Sequence, residues 1–328
     1  MLRIAQFGAG RIGAIHADNV ARRPDVELAY VVDVNAEAAA ALAARHGAQV
    51  SDVATALADK SVGAVIIASS TDTHADLIEA AARAGKAVFC EKPVDLSIAR
   101  CDQCLATVKA TGVAVAMGFN RRYDPTFRSL RERLVAGEIG RLEILSITSR
   151  DPAPPPVSYI KVSGGLFRDM MIHDFDMARW LLGEEPVEIY AAAAVNVDPA
   201  IGEAGDVDTA TVSMKTASGK LAIINNSRRA TYGYDQRVEA FGSKGMLQAG
   251  NHTATQVVHA GANGVSSDKP LDFFLQRYVA AYQAELDDFV NMVIEGREPL
   301  ATVADGRAAL LLADAALTSL REGRAVRL

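Results

Sequence analysis

Asp169 and His173 stand four residues apart in the stretch GGLFRDMMIHDFDMARWLLG, residues 164–183. At about 100° per residue, a helix here puts Asp169, His173, Asp176 and Trp180 on one stripe. Met171, Phe175, Ala178 and Leu182 fall on the opposite stripe. One apolar face can be buried while the other presents a carboxylate one turn from an imidazole. That is the arrangement of a general base with its orienting partner, and equally that of an ordinary His–Asp pair on a helix surface. A lysine could work beside the histidine. Lys92 sits in Glu91-Lys92-Pro93, at the end of the apolar run 87–90, and Pro93 biases it toward extended backbone. Held there, its amine could hydrogen-bond a substrate hydroxyl and favour deprotonation; a solvated surface lysine is the alternative.

A redox cofactor would give these groups a reaction to run. Residues 2–7 form a short apolar strand, followed at once by Gly8-Ala9-Gly10-Arg11-Ile12-Gly13. A helical pattern then runs to Arg22 and stops at Pro24, and a second apolar run, 28–32, ends in Asp33. The first glycine permits the tight turn, the second lets backbone approach a pyrophosphate, and the third lets helix pack on strand. The helix N-terminus offers free N–H groups to the anion. GxGxxG alone is a weak signal; between a strand and a helix, with an acid beyond the next strand, it marks a dinucleotide site. Gly8, Gly10, Arg11 and Ile12 are therefore expected at the cofactor. The Asp33 carboxylate can accept from ribose hydroxyls and would repel a 2′-phosphate. No arginine follows it in Val34-Asn35-Ala36, so NAD is expected rather than NADP. Later strand ends extend the site: Ser69 and Thr71 in the polar turn after strand 64–68, and Glu91 before Lys92. His74, at the start of the next helix, is either a cofactor contact or a surface residue.

These elements need a frame. The chain has 328 residues, half of them hydrophobic, and a net charge of −6. That length favours two domains, and the pattern changes at Gly118-Phe119-Asn120. Strands and helices alternate over residues 1–119, as in a Rossmann domain. Residues 120–328 read as α+β: a helix at 125–136, then strand-like runs 141–150, 187–195, 208–215, 220–227, 236–241 and 246–249. Turns such as Ala217-Ser218-Gly219 join some of them, which indicates a mostly antiparallel sheet. Helices at 276–295 and 305–322 close the chain, and Pro154-Pro155-Pro156 makes a stiff, non-helical connection. The acidic balance without basic runs argues against nucleic-acid or membrane-surface partners. With no signal-peptide pattern and no apolar run long enough to span a bilayer, a cytoplasmic protein is expected. Cys101 and Cys104 form a CxxC with no second ligand pair nearby, so no metal site is expected. Asp169, His173 and Asp174 could be imagined as ligands, but Asp174 points away from the other two on the helix wheel.

The sequence resembles the glucose–fructose oxidoreductase and inositol dehydrogenase family of NAD(P)-dependent enzymes, over essentially its whole length. The likeness is carried by GAGRIGAIHA, VVDVN, CEKPVDLS, GFNRRYDP, SRDPAPPP, the 164–183 stretch and RRATYGYDQRVEAFGSKG. It implies a Rossmann domain plus a domain with a large open-faced sheet, usually packed into a tetramer through the sheets. It also implies catalysis by the lysine of EKP with an aspartate and histidine spaced D-x-x-x-H, here Lys92, Asp169 and His173. Substrate contacts are implied at Asn120, Arg121, Asp151 and Tyr232, with Arg122 and Tyr234 as near alternatives. The reaction implied is oxidation of a secondary hydroxyl on a cyclic polyol, myo-inositol above others. A dehydrogenase for another stereoisomer or pyranose is the rival within enzymes. A non-catalytic dinucleotide sensor is the rival outside them, and it would be expected to lack the lysine or histidine that this chain keeps.

Overall fold

The computed structural model describes residues 1–328, which divide into two compact units: Met1–Tyr123 with Ala280–Leu310, and Asp124–Val279 with Leu311–Leu328. A single boundary at 119/120 differs from this because the chain contributes twice to each unit.

In the first unit the strands are β1 (Leu2–Phe7), β2 (Val26–Val32), β3 (Gln49–Val50), β4 (Val62–Ile67), β5 (Ala87–Glu91) and β6 (Val115–Gly118). They form one sheet in the order β3-β2-β1-β4-β5-β6, every pairing parallel. That order reverses direction between β1 and β4, the switch point where a dinucleotide binds in such sheets. The helices are α1 (Arg11–Ala21), α2 (Ala36–His46), α3 (Val53–Ala58), α4 (His74–Arg83) and α5 (Ile98–Thr111). Local chemistry sets their ends. The Asn35 side chain accepts from Glu37 and Ala38 N–H to start α2, and Gly47 at φ 69° stops it. The apolar runs are strands buried on both sides, which is why they read as continuous rather than alternating. Sequence periodicity gives no hint of β3 or α3, two and six residues long.

The second unit holds β7 (Leu142–Arg150), β8 (Pro186–Ala194), β9 (Thr209–Thr216), β10 (Leu221–Ser227), β11 (Asp235–Gly242), β12 (Gly245–Ala249), an isolated hairpin of β13 (Val258–Gly261) and β14 (Gly264–Ser267), and β15 (Val326–Arg327). The main sheet runs β12-β11-β7-β10-β9-β8-β15, antiparallel except between β7 and β10. Its residues alternate between a buried face (Leu145 and Ile147, Val212 and Met214, Ala222 and Ile224) and an open one. The helices are α6 (Pro125–Val135), α7 (Val157–Ser163), α8 (Ile172–Leu182), α9 (Pro199–Glu203) and α10 (Phe274–Arg277). Asp124 caps α6 by accepting from Thr126 and Phe127 N–H, and ion-pairs with the equally buried Arg277.

Two long helices close the chain, α11 (Val279–Glu295) and α12 (Val303–Glu322). Leu286, Phe289, Val290 and Met292 of α11 join the first unit's core with Ile4, Val31, Ile66 and Phe89. Each such side chain contributes about 1.5–3 kcal/mol by leaving water. The expected single helix 276–295 is thus two, α10 and α11. No helix is long and apolar enough to cross a membrane.

Candidate active site

The glycine turn of the first unit is built to let another molecule approach backbone. Gly8 has φ +106°, and a Cβ there would lie 2.3 Å from the Ala68 carbonyl oxygen. A Cβ on Gly13 would lie 2.2 Å from the Gly8 oxygen, whereas one on Gly10 would meet nothing within 4 Å. The middle glycine therefore faces open space at the start of α1, where no side chain caps the helix. That leaves first-turn N–H groups and the helix dipole for an anion. Gln6 holds the turn from beneath: its buried amide donates to the carbonyls of Gly8 and Gly13, each at 2.9 Å. Asp33, at the end of β2, accepts from Ala9 N–H at 2.6 Å and from Asn35 N–H at 2.8 Å. One carboxylate is thereby oriented by the glycine turn and by the entry to α2, and each oxygen keeps capacity for a ribose hydroxyl. These features fit a nicotinamide dinucleotide. Arg11 is exposed and Ile12 partly so, at the first two positions of α1.

The β4 and β5 ends are tied to each other. Ser69 and Thr73 share a hydroxyl–hydroxyl bond of 2.7 Å, and Thr71 begins a 3-10 turn between them. His74 is buried, with Nδ1 2.7 Å from the Pro93 carbonyl and Nε2 3.2 Å from the Ser69 carbonyl. Both ring nitrogens thus face backbone oxygens. The ring staples the turn after β4 to the residue following Lys92, and is not a surface residue. Glu91 is likewise engaged: its Oε1 lies 2.7 Å from Nε2 of the fully buried His16, whose ring packs edge-on against Phe89. Lys92 is partly buried, and the Lys92–Pro93 peptide is cis. Asn120 and Arg121 are both buried in a 3-10 turn, Asn120–Tyr123. Their neighbour Arg122 donates to the Leu300 carbonyl at 2.7 Å and pairs with Asp305 at 3.1 Å.

In the second unit the 164–183 stretch departs from one continuous helix. Gly164 and Gly165 have φ +92° and +79° and end α7. A π-turn, Leu166–Met170, follows, closed by Met171 N–H to the Leu166 carbonyl at 2.8 Å; only then does α8 begin. Asp169 therefore lies in the π-turn and His173 in the first turn of α8. Met171, Phe175, Ala178 and Leu182 are buried as the periodicity requires. Asp176, expected beside His173 on the open stripe, is instead buried, as is Asp174. The reason is packing: α8 lies against the sheet, where Asp174 accepts from Asn226 of β10 at 2.9 Å. Asp169 accepts from the Tyr159 hydroxyl of α7 at 3.1 Å. Asp151 follows β7, its N–H bonded to the Ser227 carbonyl. Tyr232 lies in the segment between β10 and β11. Its hydroxyl lies 2.9 Å from Arg150 and 2.5 Å from Asp235. Arg150 and Asp235 share the open face, whereas their strand neighbours Ser149 and Gln236 bond each other on the face that carries α8. Tyr234, two residues on, is buried with its ring against Phe273 and Tyr278.

Residues 2–119 match the family model described as "Oxidoreductase family, NAD-binding Rossmann fold", and residues 127–248 match "GFO/IDH/MocA C-terminal domain". The chain belongs to the GFO/IDH/MocA family. It is an NAD-dependent oxidoreductase by that membership. It is 50% identical to the inositol 2-dehydrogenase of Rhizobium meliloti (strain 1021), covering 99% of this chain and 98% of the relative. Identity to the myo-inositol 2-dehydrogenase of Thermotoga maritima is 47%, covering 100% and 98%. A solved scyllo-inositol dehydrogenase of Lactobacillus casei, with bound cofactor NAD(H) and scyllo-inositol, has a TM-score of 0.92. It is 28% identical, covering 100% of this chain and 99% of that one.

Within the family frame, several positioning residues lie outside what spacing reveals. Gln6 was legible only as a polar residue interrupting the apolar β1. His16 lies in the GAGRIGAIHA run and His74 at a helix start, but nothing in the sequence shows that they meet Glu91 and Pro93; Tyr159 carries no motif. No group of three or more His, Cys, Asp or Glu side chains is arranged to hold a metal ion. Burial pushes the Cys101 and Cys104 thiols up to about 12, so both are inert packing residues.

Proposed function

We propose that this protein oxidises the secondary hydroxyl of a cyclic polyol with NAD⁺, converting myo-inositol to its 2-keto form. The observation that carries the reading is the pair of relatives, at 50% and 47% identity over nearly the whole chain, named as inositol 2-dehydrogenases. When bound, NAD⁺ supplies the hydride acceptor. His173 accepts the hydroxyl proton as the adjacent C–H leaves as hydride. Asp169, steadied by the Tyr159 hydroxyl, orients the imidazole and stabilises its cation. Lys92 donates to the same substrate oxygen and offsets developing alkoxide charge. Asn120, Arg121, Asp151 and Tyr232 are assigned to the other ring hydroxyls. Of the near alternatives, Arg122 is already committed to Leu300 and Asp305. Tyr234 competes with Tyr232 for the role, since the Tyr232 phenol is held by Arg150 and Asp235.

General-base removal costs about 10²- to 10⁴-fold. His173→Ala is therefore expected to lose turnover by that order while fluorescence titration still detects NADH binding. Near-normal turnover in that variant refutes the assignment. A second reading, preference for another stereoisomer, is favoured by the scyllo-inositol dehydrogenase neighbour; initial rates of NADH formation on a panel of inositols and pyranoses separate the two. We also propose that it works in the cytoplasm as a homotetramer, the assembly that the family resemblance implies.

A further inference from the structure

The π-turn that carries Asp169 is pinned at its first residue. Asp206 accepts from the Leu166 N–H with both carboxylate oxygens, at 3.1 and 3.0 Å. The carbonyl of the same Leu166 receives the π-turn's closing bond from Met171. Asp206 and the closing bond thus act on one residue, three before Asp169 and seven before His173. Gly165, at φ +79°, is strained for any side chain, and a Cβ there would also lie 2.6 Å from Asp206 Oδ1.

Asp206 is itself held on a fixed platform. Its own N–H donates to the Ile201 carbonyl at 3.1 Å. Two residues on, buried Asp208 gathers the N–H groups of Asn196, Val197 and Asp198 at 2.8, 2.8 and 3.1 Å. Its carbonyl accepts from Arg228 N–H at 2.9 Å, which fastens the loop to the end of β10. The Arg228 side chain is 1% exposed and pairs with Asp206 at 3.6 Å, while its Nε and Nη2 have no hydrogen-bond partner. Asp206 therefore has two separable roles: a hydrogen-bond acceptor for the turn and a counter-charge for a buried guanidinium.

We infer that Asp206 is a positioning residue for the oxidation: by fixing Leu166 N–H it sets the five-residue register of the turn and so the aim of Asp169 toward His173. A π-turn is rare and occurs mostly as a single turn; α-helical spacing is the common alternative and would rotate Asp169. The inference rests on the reading that Asp169 and His173 act in the reaction. The plain alternative is that Asp206 only stabilises the fold.

The two roles predict different behaviour in two variants. Asp206→Asn keeps an acceptor, and asparagine serves as well as aspartate in such a position. It leaves Arg228 buried without its counter-charge, so its Tm should fall. Asp206→Ala removes both. With myo-inositol and NAD⁺, well below the lower Tm, Asp206→Ala should lose kcat by about 10²-fold, the scale of a misaimed catalytic group. Its KM for NAD⁺ should be unchanged, and Asp206→Asn should restore kcat to within about threefold of wild type. Loss of kcat in both variants in step with Tm, or in neither, overturns the positioning role. If Asp206→Ala does not fold, the double variant Asp206→Ala, Arg228→Leu removes the buried guanidinium together with its counter-charge and carries the same test: lost kcat supports the role, and wild-type kcat sinks it. His173→Ala in the same assay separates the two readings. Near-normal turnover there removes the catalytic reading and this inference with it, whereas lost turnover there with unchanged kcat in Asp206→Ala removes only the positioning role.

Discussion

Asp33 is the residue at which cofactor choice becomes a matter of charge. Its oxygens are fixed by Ala9 and Asn35 N–H groups, so the carboxylate cannot swing aside for a 2′-phosphate. Two unit charges about 4 Å apart repel by roughly 1–4 kcal/mol between bulk water and a protein surface. Asp33→Ala should therefore lower kcat/KM for NAD⁺ and move the NAD⁺/NADP⁺ preference toward NADP⁺ by roughly fivefold to several hundredfold. Initial rates with both cofactors check this, and an unchanged ratio would show that Asp33 does not read the ribose. Asp33 could be singled out from the sequence because it ends a local unit of strand, turn, helix and strand. His74 could not be placed that way. Its two partners, Ser69 and Pro93, lie on different strand ends, and no spacing in the sequence records that they meet.

At the scale of elements, the glycine turn shows how one buried side chain disciplines a loop. Gln6 sits mid-way in an apolar strand, and its amide satisfies two carbonyls that the tight turn cannot pair. Replacing it by leucine leaves both oxygens buried without donors, at about 1–3 kcal/mol each. Gln6→Leu is expected to lower Tm and to weaken NADH binding roughly tenfold if the turn shifts; calorimetry and fluorescence titration read the two effects. Binding at wild-type strength would mean that the glycines alone fix the turn. Elements with strong periodicity, such as α1, β7 and α12, could be read in advance because one face is buried and the other wet. The 164–183 stretch could be read only in part. Its apolar stripe fixed which side is buried, but the π-turn follows from Asp206 and the two glycines, and a helix wheel assumes uniform rotation. Asp176 keeps the His173 side of α8, since i and i+3 share a helix face; what a wheel does not record is that packing buries the position. The exposed hairpin β13–β14 offered no alternation to detect.

For the whole molecule, what needs explaining is the open face of the second unit's sheet. Strand register places Met246, Phe241, Ile144 and Leu221 side by side across β12, β11, β7 and β10, and all four are exposed. The next row brings Ile223 and Tyr190, flanking Ser213, to the same face, again exposed. An exposed apolar band of this kind is the sort of surface that another protein surface covers. In a symmetric oligomer the same patch meets itself across a two-fold axis. Alternation in the sequence announced these strands, but not which face stays open, because both faces carry apolar residues. If subunits pack through this band, light scattering should give at least twice the mass of the 34.7 kDa chain, and about four times it for the proposed homotetramer, which needs a second interface as well. The double variant Leu221→Asp, Phe241→Asp should fall to a smaller species, since buried unpaired carboxylates cost far more in an interface than in water. Both side chains already face solvent in the single chain, so circular dichroism should show the fold retained. A wild-type protein at monomer mass, or a double variant that keeps its full mass, would mean that this band is not what joins the subunits.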